Sequence, residues 1–183
     1  GRAVLRRLSL GQAVRGLWSV RIMPVKLSVS REKRGLGHEN ARKLILRAAA
    51  AALAAEGVTE DCALSALLTD DEGIREINRE YRGIDSATDV LSFPLNELAP
   101  GEFDAEACER DLDTGRILLG DMAFSLERCA RQGEEYLHGF DHELMYLTVH
   151  SVLHLLGYDH VDEGEMKRQM REREKAIMAR LEP

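Results

Sequence analysis

The stretch that decides the reading is His150-Ser151-Val152-Leu153-His154-Leu155-Leu156-Gly157-Tyr158-Asp159-His160. His150 and His154 are four residues apart, so on a helix they leave one face about one turn from each other and can grip a single ion. Gly157 suits the left-handed residue that ends a helix, after which the chain can double back and carry His160 toward the same point. Around the pair, Leu144, Met145, Leu147, Val149, Val152, Leu153, Leu155 and Leu156 make the helix apolar nearly all round, the pattern of a buried element. A single buried histidine is ordinarily a hydrogen-bonded core residue. Three at this spacing, ended by glycine, predict a metal site made of His150, His154 and His160. Three protein ligands leave a position for water or substrate, which is the arrangement of catalytic rather than structural zinc. One zinc ion per chain is the expectation, although three neutral imidazoles also suit nickel, copper or iron.

The spacing matches the long metalloprotease motif, in which glycine follows the second histidine by three residues and the third histidine comes three later. Those proteases place a glutamate base directly after the first histidine, and here that position is Ser151. Glu143 lies on a similar helix face, but seven residues separate it from His150 by roughly 10 Å along the axis. That exceeds the reach of direct proton transfer. Ordinary zinc proteolysis is disfavoured, and no general base is evident.

Two further segments accompany the histidines: Tyr81-Arg82-Gly83-Ile84-Asp85-Ser86-Ala87-Thr88-Asp89-Val90-Leu91-Ser92-Phe93-Pro94 and Leu118-Leu119-Gly120-Asp121. With these three segments, from about Val25 to the C-terminus, the chain resembles the YbeY family of metal-dependent endoribonucleases and rRNA maturation factors. Ser151 stands where that family usually has glycine, and Ala87 where it often has proline; both are small and leave the metal site intact. The resemblance implies a zincin-like metallohydrolase core, with an edge strand, here Asp89 to Pro94, bordering the active cleft. It implies single-strand-specific RNA cleavage in rRNA maturation, at the small-subunit rRNA 3′ end, and in ribosome quality control. The implied partners are single-stranded rRNA, the small ribosomal subunit and its proteins or assembly factors.

Arg82, read locally, is a cation in the last turn of a helix, favourable with the helix dipole. The resemblance places it beside the metal cleft, where a guanidinium suits bidentate phosphate recognition. His150 and Arg82 are therefore the catalytic candidates. Asp121, Asp159 and Ser151 are candidates for touching substrate or partner, or for supporting the metal ligands from behind. Asp121 reads equally as a strand or turn residue, and Asp159 as a turn residue. A metal held by the histidines would lower the pKa of water near neutral pH, and Arg82 would offset charge on the attacked phosphate. The RNA 2′-hydroxyl is the alternative nucleophile. Two other readings use the same residues: a noncatalytic ribosome-assembly module stapled by its metal, and a protease or amide hydrolase with a base from outside the motif.

The composition fits one compact domain over residues 23–183: the chain has 183 residues, 44% hydrophobic and 31% charged. Its apolar stretches are broken by charge or histidine before the length a bilayer needs, so no membrane span is expected. Cys62, Cys108 and Cys129 show no metal-like or redox-like pairing and fit a reducing, cytoplasmic setting. The first 22 residues carry Arg2, Arg6, Arg7, Arg15 and Arg21 and no acidic residue. They read as a basic tail or as upstream sequence with Met23 as the natural start, the second being favoured. Without these five arginines the formal charge falls from −7 to −12, a poor balance for steering toward nucleic acid. RNA binding would then need a local basic surface, or delivery by the ribosomal particle. Arg31, Lys33, Arg34, Arg42 and Lys43 are read as the one basic cluster of the main body, equally a solvated face.

Periodicity predicts strands over Val25–Ser30, Ala63–Thr69, Val90–Phe93 and Ile117–Phe124. It predicts helices over Asn40–Glu56, from Asp70 or Asp71 to Tyr81, and over Leu126–Leu137, Asp141–Leu156 and Glu163–Leu181. Leu95 to Gly115 is acidic and aperiodic, a mobile loop or lid. The fold class is α+β, a small mixed four-stranded sheet packed with about five helices.

Overall fold

The structure is a computed structural model that describes residues 25–159 and 164–182. The basic segment 1–22, the boundary at Met23 and His160 lie outside the described residues. In chain order the elements are β1 (Val25–Arg31), α1 (Ala41–Ala55), β2 (Cys62–Thr69), α2 (Asp71–Arg82), β3 (Val90–Pro94), β4 (Ile117–Ser125), α3 (Leu126–Glu135), α4 (Gly139–Leu155) and α5 (Glu165–Leu181). The expected α+β arrangement of a mixed four-stranded sheet with five helices is thereby observed.

The sheet order is β1-β2-β4-β3, with the first three strands parallel and β3 antiparallel on the edge. β1 alternates as a half-buried strand should, with Val25 and Leu27 buried and Lys26 and Ser28 exposed. The inner face packs on α1 and α4. Ala41, Ala48, Ala49 and Ala52 are completely buried on α1, and their small side chains let it lie close to its neighbours. The outer face is covered near β3 and β4 by α2, through Ile74 against Leu91 and Ala123.

Capping chemistry sets the bounds of α2. The Asp70 side chain accepts from the Gly73 N–H at 2.9 Å, and Asp71 and Glu72 occupy the positive end of the helix dipole. Gly83, at φ 69°, ends it, with Ile84 N–H donating back to Asn78 O.

A bulge in β4 decides which side chains reach which face. Ala63 pairs with Leu118 but Leu64 pairs with Gly120, so Leu119 is an extra residue. Ile117 and Leu119 are buried inward; beyond the bulge the parity reverses, and Met122 and Phe124 point in while Asp121 is exposed on the other face. Gly120, at φ 142°, permits this, because a Cβ there would meet Phe93 O at 2.3 Å.

The segment between β3 and β4, expected to be an untethered loop or lid, is fastened to the sheet. Leu95 N–H donates to Leu119 O, Asn96 Nδ2 donates to Leu118 O, and Glu109 N–H donates to Asn96 Oδ1. It also contains a 3₁₀ turn at Ala105–Ala107 and a bridge between Arg110 and Ile117. Its polar side chains serve backbone groups, a use that leaves no hydrophobic period to read. No helix among the described residues is long and apolar enough to cross a membrane.

Candidate metal centre and cleft

Helix α4 is buried along most of its length, so its two histidines project from a fixed support. His150 Nε2 and His154 Nε2 lie 3.0 Å apart. The other nitrogen of each ring already has an acceptor. His154 Nδ1 donates to the carbonyl of Tyr158 at 2.9 Å, since a carbonyl can only accept. His150 Nδ1 lies 2.8 Å from Glu174 Oε1 of α5, and Tyr146 Oη donates to Glu174 Oε2 at 2.6 Å.

Burial alone would raise the Glu174 carboxyl, but the hydrogen bonds from His150 and Tyr146 outweigh it and hold the group below its ordinary value. Glu174 is therefore an ionised acceptor, and His150 carries its proton on Nδ1. The Tyr146 phenol is pushed up by burial and then by the same carboxylate, so it remains a donor. With both Nδ1 atoms donating, neutral rings present two lone pairs to the same point. Two imidazole nitrogens 3.0 Å apart, on rings oriented from behind, are a donor set that fits a divalent metal. His160, the third expected ligand, is not among the described residues, and within those residues no three His, Cys, Asp or Glu side chains gather about one point.

The turn after α4 holds the Tyr158 carbonyl in place. Tyr158 N–H donates to Leu153 O, and its hydroxyl donates to Glu56 Oε2 at 2.9 Å, a carboxylate also gripped by Arg173 at 2.8 Å. Gly157 has φ 100°, and a Cβ on it would meet Leu98 O at 2.1 Å. The glycine thus serves both the left-handed turn and the close passage of the strap that follows β3.

The histidines open into a cleft of about 1060 Å³, walled by edge strand β3, the 84–89 turn, the 96–99 strap and the end of α4. The expected edge strand does border this cleft. Arg82 lines it too, its Nη2 donating to Ser92 O at 3.0 Å and its Cζ 5.8 Å from the Phe93 ring centre. Ser92 also meets Ser151: the two hydroxyls are 2.7 Å apart and buried. One residue of the edge strand therefore ties Arg82 to the histidine helix.

Of the residues expected at the site, His150, His154, Arg82 and Asp159 share the cleft lining. Ser151 is fully buried behind the lining and acts as the tether to Ser92. Asp121 is not brought to the histidines; the bulge turns it to the opposite face, where it accepts a hydrogen bond from Ser65. Glu143 is buried against Gln132 and His138, apart from the histidine pair, as its helix position required.

Of the five cations read as a basic cluster around Arg31, three are engaged within the fold, while Arg34 and Lys43 are exposed. Arg31 donates to Gly37 O and His38 O, Lys33 binds Asp70 and Glu72, and Arg42 donates to Leu27 O, so these cations hold the fold. A second basic group, on α5, was passed over. Glu174 and Tyr146 were also missed. The signal for Glu174 was available: with Met170, Ile177, Met178 and Leu181 it forms the buried stripe of α5, and a carboxylate there requires a partner.

A helix-borne histidine pair with its rings oriented from behind, set beside an antiparallel edge strand, frames an open cleft in which the two imidazoles could hold a metal ion. Residues 26–182 match the family described as Endoribonuclease YbeY. The chain belongs to that family. An Endoribonuclease YbeY of Clostridium botulinum (strain Loch Maree / Type A3) is 49% identical over 133 residues, covering 69% of this chain and 80% of the relative. The Endoribonuclease YbeY of Clostridium acetobutylicum is 46% identical over 151 residues, covering 79% and 90%. A solution structure of a Thermotoga maritima protein shares the fold, with a TM-score of 0.51 at 22% identity over 85% of this chain and 91% of that one.

Proposed function

We propose that this chain is a metal-dependent endoribonuclease that cuts single-stranded RNA in the cleft between α4 and β3, acting in rRNA maturation on the small ribosomal subunit. The observation that carries the reading is the pair of Nε2 atoms 3.0 Å apart, with both Nδ1 atoms committed to acceptors, opening onto a cleft that also holds Arg82. The names of the relatives support the reaction class. A divalent metal, best zinc, held by His150, His154 and His160 in a zincin-like core would supply Lewis-acid activation of water and of the phosphate.

The chain's own residues do the rest. Glu174 and the Tyr158 carbonyl fix the tautomer and plane of each imidazole. Arg82, steadied on Ser92 O, turns its other N–H donors to a phosphate in the cleft and offsets charge developing there. Asp159, on the same wall, is placed to contact substrate. An open cleft takes a splayed single strand, whose bases can separate, more readily than a duplex. Three unpaired thiols suit a cytoplasmic setting.

The protease reading would need open backbone on the edge strand. Phe93 O faces Gly120, so the even-numbered residues of β3 turn outward. There Val90 N–H donates to Asp89 Oδ1, Ser92 O is occupied by Arg82, and Pro94 has no N–H. A peptide could still pair with Val90 O, Ser92 N–H and Pro94 O, so what disfavours it is Ser151 in place of the glutamate base.

The test is cleavage of a precursor small-subunit rRNA fragment by zinc-loaded protein beside folded Arg82→Glu and His154→Ala variants. Loss of cutting in both variants is expected. Equal cutting by all three would sink the proposal and favour the noncatalytic assembly module.

A further inference from the structure

Resting on the RNA-cleaving reading above, we propose that the exposed flank of α5 is a phosphate track that carries the RNA strand away from the cleft, with Arg171 and Lys175 as its main contacts and Lys167 at its near end. The three side chains follow one another at i, i+4 and i+8, in steps of about 6 Å along one helix face. They border a shallow groove of about 380 Å³. Arg171 and Lys175 are exposed, and neither makes a hydrogen bond or ion pair with another described residue.

This sets them apart from most of the cations in the body. Arg42, Arg47 and Arg116 are spent on backbone carbonyls, and Arg75, Arg131 and Arg173 on carboxylates. Within the groove Arg168 is paired with Glu165, and Glu172 borders the row, so the attraction is local rather than a broad basic field. That is the form a polyanion site must take on a chain of net charge −7.

The direction of the row follows from the packing of α5 on α4. Glu182 meets His142 at one end, and Glu174 meets Tyr146 and His150 further along, so the helices run antiparallel. The first turns of α5, with Lys167, thus lie at the histidine end of α4, and the row leads from there. No large apolar side chain is exposed on α5. A helix that bound an anionic membrane would need such an anchor, so the chemistry favours a hydrated phosphodiester strand.

The test compares the full chain with its Arg171→Glu/Lys175→Glu variant, both checked for unaltered thermal unfolding. Each is titrated with a fluorescent single-stranded RNA long enough to extend beyond the cleft, across a salt series, and assayed on a short RNA confined to the cleft. The variant is expected to cut the short RNA at the wild-type rate, and to bind the long RNA at least about tenfold more weakly. Its salt dependence should be shallower by about 0.7 for each lost phosphate contact. Equal affinity and equal slope for the two proteins would overturn the track while leaving cleavage at the histidines intact. Row-dependent binding with no metal-dependent cutting would sustain the track and remove the endoribonuclease reading. Tighter binding to phosphatidylglycerol vesicles than to the long RNA would also overturn it, in favour of a lipid surface.

Discussion

Ser92 Oγ and Ser151 Oγ lie 2.7 Å apart in the interior, and this one contact fastens the edge strand of the cleft to the helix that carries both histidines. Ser151 is fully enclosed, and Ser92 nearly so. Removing one leaves the other buried without its partner. Ser151→Ala should therefore lower unfolding stability in urea by about 1–2 kcal/mol. The Ser92→Ala/Ser151→Ala double variant should lose less than the sum of the single losses, the coupling being read from a double-mutant cycle. Additive losses would mean that the hydroxyls do not act on each other.

Glu174 orients His150 from behind. Replacing it with glutamine keeps the volume but weakens the acceptor, so zinc affinity measured by calorimetry should fall by about 10–100-fold while the fold is retained. Tyr146→Phe should have a smaller effect, because it leaves the carboxylate in place. Removing metal with a chelator should abolish RNA cutting and lower the melting temperature of the wild type, with zinc restoring both. A Glu174→Gln protein with unaltered zinc affinity would show that His150 needs no such support.

Gly157→Ala combines backbone strain with a collision. Its φ of 100° disfavours a side chain, and the new methyl would lie 2.1 Å from Leu98 O. A loss of about 2 kcal/mol or more in chemical denaturation is expected. Zinc binding should weaken with it, as the neighbouring Tyr158 carbonyl leaves His154. A neutral substitution would mean that the strap moves aside at little cost.

Asp71 gives the fold an acid limit. Burial alone would raise its carboxyl, but hydrogen bonds from Arg131 and Ser125, with Arg128 3.4 Å away, hold it at about 2 against an ordinary 3.8. A carboxyl lowered in the folded state adds stability above its unfolded pKa, and loses it as pH falls through the folded one. The contribution should be present in full above about pH 4 and gone near pH 2, on the order of 2 kcal/mol. Asp71→Asn should flatten that part of the stability profile, measured by urea unfolding between pH 2 and 5. An unchanged profile would place the acid sensitivity elsewhere.

Much of the fold could be read in advance because its signals are local. Asp70, Gly83 and Gly157 mark helix ends by capping chemistry and backbone conformation, and the alternation in β1 and β2 marks strands. The histidine pair was legible because i and i+4 share a helix face whatever surrounds them. Asp121 could not be assigned a face for a nonlocal reason: that face depends on the extra residue Leu119, whose accommodation needs Gly120 against Phe93. Only the glycine within an otherwise apolar strand hinted at that. Glu174 was hidden by its neighbours, since Arg171, Glu172, Arg173 and Lys175 make the whole stretch look solvated. Within the Arg31 cluster, Arg31, Lys33 and Arg42 are claimed by carbonyls and carboxylates elsewhere in the fold, which adjacency in sequence does not reveal.

Where Gly157 passes Leu98, the two walls of the cleft meet main chain to main chain, with no side chain between them. At that point the separation of the walls is set by two backbones in contact, and a side chain on residue 157 would have to push the strap away. Exchanging residues elsewhere on the walls can change what the cleft attracts, but hardly its girth there. Changing the girth at that end therefore takes a shift of the strap's backbone, which a different number of residues in the strap would supply most directly.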